Sequence, residues 1–290
     1  MASRYTTVSF LSDYGRVDEF VGVVHSVLRS MAPEVRVIDI THDIPPYDVR
    51  AGGLALVRAA DWLAPGVVIA VVDPAVGTSR RAIAVEVGGG SSVLVGPDNG
   101  LLALVVGYCG GADRVVEITN PDVILDRRSG TFDGRDVFAP AAAFLCNGGE
   151  LTDLGPSIEP TSLLPGLLPL PREEEGRLHA EVLWIDRYGN AQLNVDEETA
   201  AAIAPLGETV RLLLERGSRA ARRVATFAEL DKGEIGLVAD SYGLLALVLD
   251  RASAADELEL STASAVTIES MDETVSPTIV TPVQLGVRRS

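Results

Sequence analysis

Basic residues are scarce in this 290-residue chain: 24 Lys and Arg stand against 41 Asp and Glu, a formal charge of −17. Without a basic face, a phosphate-rich partner or an anionic membrane surface has little to hold, which argues against nucleic acid as a ligand. Aromatic residues make up only 5 % of the sequence and apolar residues 47 %. The core must therefore be built from Val, Leu, Ile and Ala, the usage of sheets covered by helices. Cysteine is nearly missing. Cys109 and Cys146 have neither metal nor redox spacing, so inert thiols in a reducing compartment are expected. Long apolar runs are absent too: "MASRYTTVSFLSDYG" has no signal-type core and "GVVIAVV" is too short to cross a bilayer. A cytoplasmic protein with no membrane partner is expected. No G-x-G-x-x-G follows the first predicted strand and no G-x-x-x-x-G-K-[ST] occurs, so the chain lacks the usual polyphosphate cradles. His25, His42 and His179 are scattered, with no closely spaced pair.

What is present alternates. The β-branched segments "TTVSFL", "VRVIDI", "GVVIAVV" and "AIAVEV" recur between Thr6 and Val87, with helical spacing between the first three. Phe20, Val24, Val27, Leu28 and Met31 fall on one face of a helix. A second helix is predicted from about Asp48 to Trp62, its Gly52 and Gly53 allowing close approach to a sheet. "SVLVG" and "RVVEIT" read as further strands, leading to a helix over about Val137–Leu145. These elements give an α/β fold class, with a mostly parallel central sheet over residues 1–155. Five prolines between Pro156 and Pro171, followed by "REEEGR", suit neither helix interior nor central strand, so residues 156–177 are assigned as a linker. Beyond it, "LHAEVLWID", "AQLNV", "VRLLLE", "IGLVAD", "LLALVLD" and "AVTIES" read as strands. They predict a smaller antiparallel sandwich or barrel over 178–270. Residues 271–290, with Pro277 and Pro282, read as a poorly ordered tail.

Ligand crevices of α/β sheets lie beyond the carboxyl ends of the strands, and here those ends are acidic. Asp13 follows "TTVSFLS", "THD" follows "VRVIDI", and Asp73 follows "GVVIAVV" with Arg80 seven residues later. Asp13 suits either a ribose diol or a helix N-cap. His25 reads as packed within its helix, and His42 as either ligand or structural residue. In "GTFDGRDVFAPAAAFL", Asp133 and Asp136 allow a cap with an ion pair, a metal site or a catalytic carboxylate, the cap being most natural for Asp136.

Seven segments then carry a resemblance: "FLSDYG" (10–15), "DITHDIPPYDV" (39–49), "VVDPAVGTSRRAIAVE" (71–86), "GPDNGLL" (96–102), "TFDGRDVFAPAAA" (131–143), "IDRYGNAQLN" (185–194) and "DSYGLLAL" (240–247). In this order they resemble the S-adenosylmethionine (SAM) hydroxide adenosyltransferase family, whose relatives include fluorinase and chlorinase enzymes. The resemblance implies an N-terminal α/β domain joined to a C-terminal β-barrel. It also implies a homotrimer whose active sites lie between one subunit's first domain and its neighbour's second. The reaction implied is displacement of methionine from the 5′ carbon of SAM by water, giving adenosine and methionine. SAM is the substrate and no cofactor or metal is implied. The family's catalytic Asp and Arg fall on Asp73 and Arg80, and its His position is occupied by Asp133. By the same resemblance Asp13 binds ribose, Asp18 contacts the methionine end, and Tyr47 walls the sugar. Asp186 meets the methionine amino group, Tyr188 and Asn190 meet adenine, Phe227 stacks, and Ser241 helps to hold the methionine carboxylate. Tyr242 stands where halide-using members carry Arg. Those members lack the Asp at 73, which favours hydroxide here. Three alternatives stay open: a silent adenosyl-binding protein, a halide adenosyltransferase, and a metal hydrolase built on Asp73, Asp98 and Asp133.

Overall fold

The computed structural model describes residues 5–126 and 130–271. The tail expectation for residues 272–290 lies outside the described residues. The chain divides into two units, residues 1–168 and 169–290.

In the first unit six strands form one sheet: β1 (Thr7–Ser12), β2 (Arg36–Thr41), β3 (Val67–Val71), β4 (Ala82–Val87), β5 (Ser92–Pro97) and β6 (Arg114–Glu117), in the order β2-β1-β3-β5-β4-β6. β1 pairs in parallel with β2 and β3, and β3 with β5, while β4 runs antiparallel to β5 and β6. Every residue of β1, β3 and β4 is buried, as strands covered on both faces require; β3 is an unbroken apolar run, while β1 and β4 also bury Thr7, Ser9, Ser12 and Glu86, the last paired with Arg114. β2 is the exposed edge.

Helix α1 (Phe20–Met31) buries Val24 and Leu28. Phe20, expected on the same core face, is instead partly exposed, because its ring turns toward Tyr14 and Phe132. Helix α2 (Val49–Ala59) is N-capped by Asp48, whose carboxylate accepts the Ala51 N–H at 2.9 Å. Helix α3 (Ala103–Tyr108) ends at Cys109, whose thiol is exposed. Helix α4 (Ala139–Cys146) is apolar on nearly every side and correspondingly buried, with the Cys146 thiol pushed up to about 12 by burial.

The turn before α4 is π-helical, over Gly134–Phe138, where the sequence suggested a plain helix start. Pro140 explains it. It has no N–H to offer the Asp136 carbonyl four residues back, and its ring would crowd that carbonyl. The chain widens there, and the Asp136 carbonyl accepts from Leu125 N–H at 2.8 Å instead.

The second unit is a closed barrel. Its strands are β7 (Arg172–Glu174), β8 (Arg177–Ile185), β9 (Ala191–Asp196), β10 (Thr209–Leu214), β11 (Gly217–Arg223), β12 (Ile235–Ala239), β13 (Leu244–Leu249) and β14 (Ala265–Ser270). Pairing of β14 with β8 closes a seven-strand ring, and β7 folds onto β8 outside it. One departure from an antiparallel barrel appears: β11 and β12 pair in parallel, the chain crossing between them through a short 3₁₀ turn at Phe227–Glu229. β11, "GSRAARR", lacked an apolar signature because its first four residues are exposed. Its buried Arg223 is neutralised by Glu197 at 2.8 Å.

The close approach expected of Gly52 is real. A Cβ there would lie 2.8 Å from Leu101 Cδ1 and 2.9 Å from Val72 Cγ2, both in fully buried side chains with no room to withdraw. Gly52→Ala should gain about 1 kcal/mol of helix propensity and lose about 1–3 kcal/mol to overpacking. The expected net result is a lower urea midpoint with an unchanged m-value; an unchanged or higher midpoint would contradict the packing argument.

Candidate active site

Beyond β3 the buried Val72 carries the chain to Asp73, and the Asn99 side chain fixes this end by donating to the Val72 carbonyl at 2.8 Å. A compact turn follows. Val76 N–H bonds the Asp73 carbonyl, Thr78 N–H the Ala75 carbonyl, and the Thr78 hydroxyl accepts Arg80 N–H at 3.2 Å. Gly77 holds φ of +81° in this turn, with the Gly130 carbonyl where a Cβ would stand, at 2.8 Å. The turn returns Arg80 onto Asp73. Its Nε donates to Asp73 Oδ1 at 3.2 Å and its Nη2 to Asp73 Oδ2.

Asp133 approaches from the opposite side, and Arg80 Nη2 donates to its Oδ2 at 2.7 Å. The three side chains are only 5–7 % exposed. Phe138 lies under the guanidinium, its ring centre 5.6 Å from the central carbon. The capping alternatives fall away. Asp133 stands before the π-helical turn but makes no side-chain cap bond, and Asp136, expected as the cap, is buried and engaged by Arg135 at 2.6 and 2.9 Å.

Asp73 and Asp133 face a cleft of about 320 Å³ in the first unit. Asp13 faces it too. It does not cap α1, whose N-cap is Glu19; its Oδ2 accepts Tyr47 N–H at 2.9 Å, and Tyr47, at φ of +69°, lines the rim with an exposed ring. Asp18 is exposed in the loop before α1, away from the cleft lining.

Sequence reasoning missed the aromatic wall. Tyr14, Phe20 and Phe132 pack edge-on or tilted with ring centres 5.2–5.6 Å apart, and all three line the cleft. Tyr14 and Phe132 adjoin the acids in "FLSDYG" and "TFDGRD", which was the available signal. Gly134 makes room for the Tyr14 hydroxyl, which a Cβ there would approach to 2.3 Å. Burial, then the charges of Asp13, Asp73 and Asp133, push the Tyr14 hydroxyl far above its ordinary range, so it stays protonated.

In the second unit Tyr188, Asn190 and Phe227 line a separate groove of about 620 Å³ beside the Asp250–Ser253 loop. Asp186 is the organiser of its turn: Oδ1 accepts Tyr188 N–H at 2.8 Å and Asn190 N–H at 2.9 Å, and Oδ2 accepts Asn190 Nδ2 at 2.8 Å. Ser241 and Tyr242 are exposed in a turn organised by Asp240, whose Oδ1 accepts the Tyr242 and Leu244 N–H groups at 2.8 and 3.1 Å. Asp98 does not join Asp73 and Asp133. It is held by Arg81 and accepts Leu164 N–H at 2.9 Å, so the proposed three-acid metal set is not assembled.

The sequence matches the models of the SAM hydroxide adenosyltransferase N-terminal domain over residues 8–155 and of its C-terminal domain over 180–267. The chain belongs to the SAM hydroxide adenosyltransferase family. It is 45 % identical to the (R)-S-adenosyl-L-methionine hydrolase of Salinispora arenicola, over 88 % of this chain and 94 % of that one. A fluorinase of an Actinoplanes species is more distant, at 28 % identity over 90 % and 96 % of the two chains. Among solved structures, a conserved protein of Thermotoga maritima superposes with a TM-score of 0.83 at 31 % identity, covering 90 % of this chain and 99 % of that one.

In this member of the SAM hydroxide adenosyltransferase family, burial raises the Asp73 pKa above its ordinary 3.8, Arg80 opposes the rise, and the nearby Asp133 charge adds to it. The folded state thus binds more protons at this group than the unfolded chain does. Its contribution to stability is present below 3.8 and is lost as pH rises through the folded pKa. Arg80 offsets this penalty at neutral pH. Arg80→Ala should therefore destabilise the protein by about 3–5 kcal/mol at pH 7.5. The deficit should shrink toward pH 5 as the stranded Asp73 carboxylate takes up a proton. Denaturant melts of both proteins at the two pH values check this, and a pH-independent deficit would contradict it.

Proposed function

We propose that the protein hydrolyses S-adenosyl-L-methionine to adenosine and methionine, with Asp73 taking a proton from water as the oxygen attacks C5′. The observation that carries the reading is the buried Arg80 shared by Asp73 and Asp133 at the wall of an acidic cleft. The 45 % identity to a relative named (R)-S-adenosyl-L-methionine hydrolase supports the substrate, and the same sulfonium epimer is proposed here.

The reaction asks for one base and no general acid. The C5′–O bond forms as the C5′–S bond breaks, the electron pair leaves with sulfur as a neutral thioether, and water loses one proton. A positioned base contributes roughly 10² to 10⁴ in rate, and holding oxygen at attack distance adds to that. Asp73 suits the role because burial raises its basicity above that of an ordinary carboxylate, while two donors of Arg80 fix its plane. Asp133, in place of the family's His, steadies Arg80 from the other side and turns a second carboxylate toward the water. Asp13 accepts the ribose hydroxyls. The aromatic wall contacts the sulfonium, an attraction of about 0.5–2 kcal/mol.

The remaining parts of the proposal concern assembly and setting. A homotrimer shares each active site between neighbouring subunits, Tyr188, Asn190 and Phe227 meeting adenine and Asp186, Ser241 and Tyr242 serving the methionine end. The enzyme works in the cytoplasm and needs no cofactor. No helix of the described residues is long and apolar enough to cross a membrane.

Incubation with SAM, read by chromatography, should release adenosine and methionine; substrate binding without adenosine would favour a silent binder. Asp133→Asn should lower turnover by roughly 10²-fold with KM changed less than about threefold. Because the Asp133 charge raises the Asp73 pKa, the acid limb of the residual pH–rate profile should also move to lower pH. An unchanged turnover would make Asp133 structural.

Halides meet two carboxylates and one guanidinium here, a negative balance. Excess chloride should leave adenosine release unchanged, and formation of 5′-chloro product would count against the hydroxide assignment.

A further inference from the structure

Scattered in sequence, two of the three histidines converge in the fold on one carboxylate. His25 lies on the exposed flank of α1, Asp39 in the edge strand β2, and His42 just beyond it. His25 Nε2 stands 2.8 Å from Asp39 Oδ1 and His42 Nε2 stands 3.1 Å from the same oxygen. All three donor atoms lie within 4.8 Å of one another, the one such set of His, Cys, Asp and Glu among the described residues.

His42 decides between a hydrogen-bonded relay and a cation site. Its ring is fully buried and its Nδ1 is engaged by Ser12 Oγ at 2.8 Å. Its Nε2 is buried as well, yet despite the short approach to Asp39 it makes no directed hydrogen bond. A relay leaves that nitrogen badly satisfied, whereas a cation takes up its lone pair. The Ser12 contact is the outer support that ligating imidazoles use to fix ring orientation. Two imidazoles and one carboxylate suit a borderline ion such as zinc and disfavour magnesium or calcium. A tetrahedral zinc with bonds of about 2.0–2.1 Å sets its ligands about 3.3 Å apart. The observed 2.8 and 3.1 Å need open only slightly, and His25 and Asp39, with side chains 37 % and 30 % exposed, are free to move.

We propose that His25, Asp39 and His42 bind one divalent zinc-class ion, with water in the fourth position. The site is separate from the proposed reaction. It braces α1 against β2 behind the loop that carries Asp13 and Tyr14, because Ser12 Oγ also accepts Tyr14 N–H and the His42 carbonyl accepts Gly15 N–H at 2.8 Å.

Calorimetric titration of the chelator-treated full chain with zinc chloride at pH 7.5 should give one equivalent per chain with micromolar affinity and a raised melting temperature. His25→Ala and Asp39→Asn should each weaken binding at least tenfold and abolish the thermal shift, while His179→Ala changes neither. Both test positions are partly exposed, and unchanged circular dichroism establishes that the variants fold. Failure of the parent chain to take up zinc, or uptake that survives both His25→Ala and Asp39→Asn, overturns the proposal. Adenosine release plays no part in this readout, so the metal site and the hydrolase reading stand or fall separately.

Discussion

A single guanidinium held between two buried carboxylates organises the functional end of the first unit. Arg80 reaches Asp73 with Nε and Nη2 and Asp133 with Nη2, while Nη1 is taken by the Arg81 carbonyl at 3.1 Å. A lysine has no planar fork and would leave one of these acceptors without its donor. Three ions this deep carry a desolvation penalty of several kcal/mol each, repaid only when each keeps its partners. The surrounding structure follows from that demand. The end of β3 must stop where Asn99 holds it, the turn from 73 to 80 must be tight, and the chain before α4 must deliver Asp133 to the far side.

That last requirement is met by the π-helical turn. An ordinary α-turn into Pro140 would bring the Asp136 carbonyl against the proline ring. Widening the turn moves that carbonyl to Leu125 and lets Asp133, Gly134 and Phe138 serve the cleft side, as carboxylate, as space for the Tyr14 hydroxyl, and as the ring beneath Arg80. Asp136, three residues from Asp133, is turned away and neutralised by Arg135, which itself stacks over Phe132 at 5.0 Å. Two acids of one short motif thus have opposite fates.

Much of this is legible in the sequence where a local rule is strong. Apolar runs mark β3 and β4, the 3.6-residue period marks α1, and Asp48 before "VRAGG" marks the start of α2. Phe20 obeyed the period and still left the core, since periodicity records a face and not what covers it. β11 escaped because a strand exposed over much of its length has no apolar signature. The π turn needed both Pro140 and, fifteen residues before it, the Leu125 N–H that donates to the freed Asp136 carbonyl, a combination no local pattern contains. Asp73 and Arg80 were visible as an acid at a strand end and a base seven residues on, whereas the role of Asp133 beside them rested on resemblance. The convergence of His25 and His42 on Asp39 depends on how α1 packs beside β2 and has no counterpart in residue spacing.

The resemblance puts Asp133 where the family carries an imidazole, and on the proposed mechanism that difference tests how much the chemistry depends on any one base. Sulfonium cleavage produces a neutral thioether, so no leaving group competes for a proton and the full demand falls on the attacking water. An imidazole beside Asp73 would divide that demand between two different groups. Two carboxylates on one guanidinium divide it between similar groups, and at Asp73, at the end of a wholly buried strand, burial raises the pKa despite Arg80. The second carboxylate strengthens this bias by its charge, and a more basic Asp73 is a better proton acceptor for water. On the proposed mechanism an Asp at 133 therefore adds to the basicity of the strand-end carboxylate and keeps the site net negative, which favours a cationic substrate and a neutral nucleophile over an anionic one.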